Sequence, residues 1–267
     1  MIYTSDTELD GLSFWRIPVI ICSVTGNTTR LWAGLILTIA ILAPMTEAKS
    51  PQVPPPSSGV HSLTLQRAGG PPIHYAISIP AGYSPSSRVP LVLALHFAGD
   101  PDGAGRAVLE ILVRPALAEL GAIIVAPDSL GGGWETAEND RAVNQLLDAA
   151  ISSYSIDTGK IVVTGFSMGG RGTWHFGAKY PQRFSAAIPL AGVPPASAAG
   201  WRLPVLAIHS RDDEVAPIAP TEARIKELQQ NGARAELIAL TGITHFQTYR
   251  FVDGLRKAVP WLRETWK

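Results

Sequence analysis

A serine hydroxyl is a weak nucleophile near neutral pH. It reacts beside a general base that is itself oriented by a carboxylate. Three stretches of this sequence supply those residue types. Ser167 sits in "GFSMGG", where a β-branched apolar run gives way to helix-forming residues. Gly-x-Ser-x-Gly at such a junction makes a sharp strand-to-helix turn that thrusts the hydroxyl out above the sheet, with glycines where strand and helix close on each other. The pattern marks Ser167 as a nucleophile; a Gly-rich turn with an incidental serine is the competing reading. Three histidines follow it: His175, His209 and His245. His175 lies about two turns into the helix leaving the elbow and is carried away from the serine. His209 falls inside a core strand, as a satisfied buried histidine would. His245, in "LTGITHFQTY" between the last strand and the last helix, is the candidate base.

The carboxylate is sought in "LAIHSRDDEVAP", right after a strand. Asp213, four residues before Pro217, is the first choice, with Asp212 as the alternative. Asp128 also ends a strand but precedes the serine in the chain, and reads as a turn or cap residue. A tetrahedral intermediate also needs backbone N–H donors. Met168, directly after the nucleophile, and Ala98, in the "HFAGD" turn after "LVLAL", are the candidates.

These loops need a scaffold. "HSLTLQR" and "IHYAISIP" alternate and flank Gly69-Gly70-Pro71, so they read as an antiparallel pair. "VPLVLALHF" is a continuous apolar run, as in a strand buried on both faces. A helix near 104–120, strand "AIIVAPD", a helix near 138–153, strand "KIVVTGF" and a helix from about 168 to 180 come next. Strand "FSAAIPLAG", strand "LPVLAIHS", a helix near 218–231, strand "ARAELIAL" and a C-terminal helix from about 251 complete the pattern. This alternation predicts an α/β domain with a mostly parallel, doubly wound sheet and helices on both faces, whose chemistry lies after the C-terminal ends of strands.

"GFSMGG", "RDDEVAP", "THF" and "LHFAGD" together resemble the α/β-hydrolase fold. More closely, residues 75–265 are similar to the carboxylesterase, acyl-thioesterase and dienelactone-hydrolase group and to feruloyl-esterase and polyhydroxybutyrate-depolymerase-like enzymes. "GGRGTWHFGAKYPQRFSAAIPLAG" strengthens the second comparison. The resemblance implies a serine hydrolase that cleaves carboxylic esters through an acyl-enzyme. It implies Ser167 as nucleophile, Asp213 and His245 as its partners, main-chain N–H of Ala98 and Met168 as the oxyanion hole, and no metal or organic cofactor. One departure matters: such families usually have His-Gly where this chain has His96-Phe97. Phe97, Trp134, Val215 and Phe246 stand in or beside the loops expected to rim the site and are candidate pocket residues. Gly131 to Gly133 would let their loop deliver Trp134 over the site, or the ring would cap the core. No insertion is long enough for a separate lid, which favours accessible or short-chain esters. Two other readings are a peptidase of the prolyl-oligopeptidase kind and a ligand-binding protein of the same fold without catalysis.

Composition sets the outer bounds. The chain has 267 residues, with Lys plus Arg at 22 and Asp plus Glu at 22, a formal net charge of +0. No basic field argues for a nucleic-acid partner, and the expected partner is a small-molecule ester. Cys22 is the single cysteine, so an intrachain disulfide and a Cys-rich zinc site are both excluded. Residues 31–43, "LWAGLILTIAILA", form an uncharged apolar run after Arg30. Its length suits a secretory h-region better than a spanning helix, which needs roughly 20 residues. The segment before it is long, so either translation starts downstream of Met1 or the run stays as an uncleaved membrane anchor. Residues 1–48 are thus read as a leader, 49–59 as a Pro-rich linker and 60–267 as the catalytic domain of an exported protein. Nothing in the sequence sets an oligomeric state.

Overall fold

The computed structural model describes residues 57–67, 69–197 and 200–267. The leader read at 1–48, its apolar run at 31–43 and most of the linker at 49–59 lie outside the described residues. Among those described, no helix is long and apolar enough to cross a membrane.

Eight strands build one sheet: β1 (Gly59–Leu65), β2 (Ile73–Ile79), β3 (Val89–Leu95), β4 (Ile123–Pro127), β5 (Ile156–Phe166), β6 (Ala186–Leu190), β7 (Val205–Ser210) and β8 (Ala235–Leu240). Their spatial order is β1-β2-β4-β3-β5-β6-β7-β8. The hairpin β1–β2 is antiparallel and β2 pairs antiparallel with β4, while β3 to β8 run parallel. β3 shows why a parallel strand reads as unbroken apolar sequence. Leu91, Leu93 and Leu95 enter one core and Val92 and Ala94 the other. The first core is closed by α3 (Ala137–Ser153), α4 (Met168–Lys179) and α5 (Ala219–Gln230), through Val143, Leu147, Trp174 and Ile225. The second is closed by α1 (Ala104–Val108), α2 (Arg114–Leu117), α6 (Val252–Arg256) and α7 (Ala258–Thr265), with Leu109, Leu255 and Leu262 packed inward.

Two helices differ from the sequence reading. The expected helix near 104–120 is α1, a π-helical turn Leu109–Val113, α2 and a 3-10 turn Ala118–Leu120. Pro115 stands in the first turn of α2 and has no N–H to continue the ladder, so the preceding turn widens. The C-terminal helix begins as a 3-10 turn, Thr248–Phe251, and divides into α6 and α7 ahead of Pro260, which also lacks an N–H.

Trp134 also departs from its expected place over the site. The structure buries it to 1% exposure in the core beneath α4, with its indole N–H donated to the carbonyl of His96 at 2.9 Å. Its ring lies edge-on to the His96 imidazole at 4.9 Å. The large apolar body gains more from the core than from the rim, and the carbonyl satisfies its one polar group.

Candidate active site

The serine turn is built by close approach. Ser167 caps α4 at φ 57 and ψ −113, a conformation that L-residues seldom adopt. Its N–H donates to the carbonyl of Leu190 on β6 at 2.9 Å. A Cβ on Gly169 would lie 2.0 Å from the carbonyl oxygen of Leu95, and one on Gly165 would lie 2.5 Å from that of Gly169. Both positions therefore require glycine, and the helix can start directly over the ends of β3 and β5.

The hydroxyl so presented meets the loop after β8. Ser167 Oγ is 2.8 Å from Nε2 of His245, and Nδ1 of His245 is 2.7 and 2.9 Å from the two oxygens of Asp213. A carboxylate accepts only, so Nδ1 carries the ring proton and Nε2 is left to accept from the serine hydroxyl. Oδ1 of Asp213 also accepts the N–H groups of Val215 and Ala216 at 3.0 and 2.7 Å. Those bonds aim the carboxylate, and its side chain is wholly buried. The structure thus brings Ser167, Asp213 and His245 into one hydrogen-bonded row.

The other two candidate histidines bond to different partners. His175 bonds Asp140 across α3 and α4 at 2.8 Å. His209 is buried, donating Nε2–H to the carbonyl of Ala216 at 2.7 Å and accepting the Thr221 hydroxyl at 2.9 Å. Asp128 accepts the N–H groups of Gly103 and Gly105 at the start of α1, at 3.0 and 2.8 Å.

A cavity of about 530 Å³ opens at Ser167 and His245, with Phe97 and Ala98 on its wall. Val215 and Phe246 stand on its rim, 54% and 79% exposed. Met168 opens the first turn of α4, where helix N–H groups have no intrahelical partner. Ile111, Phe166 and Tyr249 also line this cavity, and none of them was singled out in the sequence. Phe166 was within reach of the motif, being the residue before the serine. Ile111 arrives only through the π-helical turn, which leaves it 40% exposed while its neighbours Leu109 and Leu112 are buried. Among the described residues, no group of three or more His, Cys, Asp or Glu side chains is placed to hold a metal ion.

Behind the serine, His96 braces the loop that carries Phe97 and Ala98. Its Nδ1–H donates to the carbonyl of Phe97 at 2.6 Å, and its Nε2 accepts the N–H of Ser129 at 3.0 Å. Burial pushes the pKa of His96 below the ordinary 6.5, against the opposing pull of the Phe97 carbonyl and the Asp128 charge. Burial lowers that of His209 in the same way, against the Ala216 carbonyl and Asp213. In the unfolded chain both titrate near their ordinary value. As pH falls below about 6.5, the unfolded state therefore binds protons that the fold excludes, and stability declines; above it the contribution is fully present. The urea midpoint is accordingly expected to be lower at pH 5.5 than at pH 7.5. A midpoint that rises on acidification would contradict this.

Comparison with known proteins agrees with the sheet. The family model described as Phospholipase/Carboxylesterase matches residues 130–260. The chain is 27% identical over 215 residues to a probable feruloyl esterase C of Aspergillus terreus, covering 78% of this chain and 76% of that one. It is 32% identical over 121 residues to a probable acetylxylan esterase A of the same species, covering 39% of this chain and 38% of that one. The crystal structure of a thermostable esterase superposes with a TM-score of 0.66 at 23% identity, over 77% of this chain and 62% of that one. The chain thus spans less than two thirds of that structure. The eight-stranded order, the strand–serine–helix turn between β5 and α4 and these similarities support an α/β-hydrolase fold and a carboxylic ester hydrolase similar to carboxylesterases and feruloyl esterases.

Proposed function

We propose that this carboxylic ester hydrolase works by two-step acyl transfer through Ser167, His245 and Asp213. Ser167 Oγ attacks the ester carbonyl while its proton passes to Nε2 of His245. The resulting tetrahedral intermediate collapses and His245 returns the proton to the leaving alcohol. Water then attacks the acyl-enzyme, giving up its proton to the same nitrogen, and the serine is restored as the acid departs. Asp213 holds the imidazole in the required tautomer and stabilises its charged form. The developing oxyanion is received by the main-chain N–H groups of Met168 and Ala98. The observation that carries this reading is the 2.8 Å contact between Oγ and Nε2, continued at 2.7 Å to Asp213.

The acyl side of the substrate is read from the wall. Phe97, Phe166, Phe246 and Tyr249 surround a space within the ordinary range for small-molecule sites, so an aromatic acyl group is favoured over acetyl. The apolar run at 31–43 with the Pro-rich stretch behind it supports export of the enzyme.

The test is turnover of a series of p-nitrophenyl and methyl esters from acetyl to hydroxycinnamoyl, beside an aminoacyl anilide. Esters should be cleaved, with kcat/KM highest for aromatic acyl groups, and a fluorophosphonate should abolish turnover by labelling Ser167. Faster cleavage of the anilide would make the protein a peptidase. An unlabelled serine with no turnover would leave a binding protein.

A further inference from the structure

Three consecutive acidic residues, Asp212, Asp213 and Glu214, follow β7, and each reaches the loop that carries His245. Asp213 takes the ring. Oδ2 of Asp212 accepts the N–H of Gly242 at 2.6 Å, and Oε2 of Glu214 accepts the backbone N–H of His245 itself at 3.1 Å. Gly242 stands at φ 69, where the chain turns out of β8, and its carbonyl is held from the other side by Arg250 at 2.6 Å. Within the loop, Gln247 accepts the N–H of Thr244 at 3.1 Å.

We propose that Asp212 and Glu214 are positioning residues for His245. With Asp213 they form a clamp that ties the loop bearing the base to the strand end bearing its carboxylate. This rests on His245 being the general base, as read above. Asp213 and Ser167 hold the two ring nitrogens, but neither holds the backbone of His245. A bond to the His245 N–H fixes the Cα from which the ring projects, and a bond to Gly242 fixes the entry of the turn. N–H bonds to a carboxylate are stronger than those to a neutral acceptor. Both flanking carboxylates are exposed, however, so their hold is weakened by solvent. A displacement of the base by about 1 Å can cost on the order of 10²-fold in rate, and partial loosening correspondingly less.

The experiment compares Glu214→Ala and Asp212→Ala with Glu214→Gln and Asp212→Asn, all by steady-state kinetics on one soluble p-nitrophenyl ester. Each alanine variant is expected to lose roughly tenfold in kcat with KM unchanged, because the base is misplaced while the acyl cavity is untouched. The amide variants keep an acceptor oxygen for the same N–H and should recover most of that loss. A merely structural or solvating role would not give this rescue together with a split between kcat and KM. Wild-type kcat in both alanine variants would overturn the clamp, as would amide variants no better than alanine. Should an alanine variant fail to fold, its amide counterpart still decides: the clamp requires it to be near wild type, and a large kcat loss there overturns it. His245→Ala in the wild-type background separates the two failures. If it abolishes turnover, only the clamp has failed; if it does not, the reading of His245 as the base has failed with it.

Discussion

Ser167→Ala is expected to lower kcat on every ester by on the order of 10⁶-fold while leaving thermal stability near that of the wild type. The side chain faces the cavity, and its hydroxyl is bonded to Nε2 of His245. Removing Oγ therefore costs little packing. Alanine is also an L-residue, so the elbow keeps the same backbone demand. In the proposed mechanism, by contrast, all covalent chemistry passes through that one oxygen. Melting curves by circular dichroism and single-turnover assays on a p-nitrophenyl ester check both halves. Retention of wild-type turnover would remove Ser167 from the mechanism, whatever its geometry.

The second large effect is expected at Asp213→Asn, a fall in kcat of about 10⁴-fold, the cost of the same exchange in a comparable triad. The cause lies in which atoms the carboxylate already serves. Oδ1 accepts from the N–H groups of Val215 and Ala216, so an asparagine is held with its carbonyl oxygen on those donors and its NH₂ toward His245. The imidazole must then accept at Nδ1 and carry its proton on Nε2. That nitrogen would face Ser167 as a donor and could not take the hydroxyl proton. Asp212→Asn keeps an acceptor for Gly242 and should cost far less. Measuring kcat for both variants decides between the two neighbours. A larger loss at Asp212 would reverse their roles.

Much of this layout could be read before any coordinates. The β5–Ser167–α4 junction is legible because its two glycines answer a local requirement, the closeness of Gly165 and Gly169 to backbone carbonyls. The parallel strands are legible because burial on both faces leaves no polar alternation. What escaped depends on contacts distant in sequence. Whether Trp134 turns out over the site or into the core is decided by the carbonyl of His96, 38 residues away. Asp212, read only as the alternative partner of the histidine, and Glu214 gain their bonds to the turn at 242–245 only when that turn is folded against them. Ile111 becomes a wall residue only because the helix widens before Pro115. The aromatic cavity is likewise assembled from five separate segments of the chain, no one of which announces it.

The backbone of Ser167 has a consequence for how this enzyme can evolve. At φ 57 a side chain bearing a Cβ is disfavoured, and such conformations typically cost on the order of 1–3 kcal/mol. Glycine adopts them freely. Ser167→Gly is therefore a change that folding alone would favour and that the proposed mechanism forbids. A library of variants ranked only by heat resistance would drift toward glycine at this position and away from catalysis. Gains in robustness must come instead from places such as the paired cores on the two sheet faces, where stability and turnover are not in opposition.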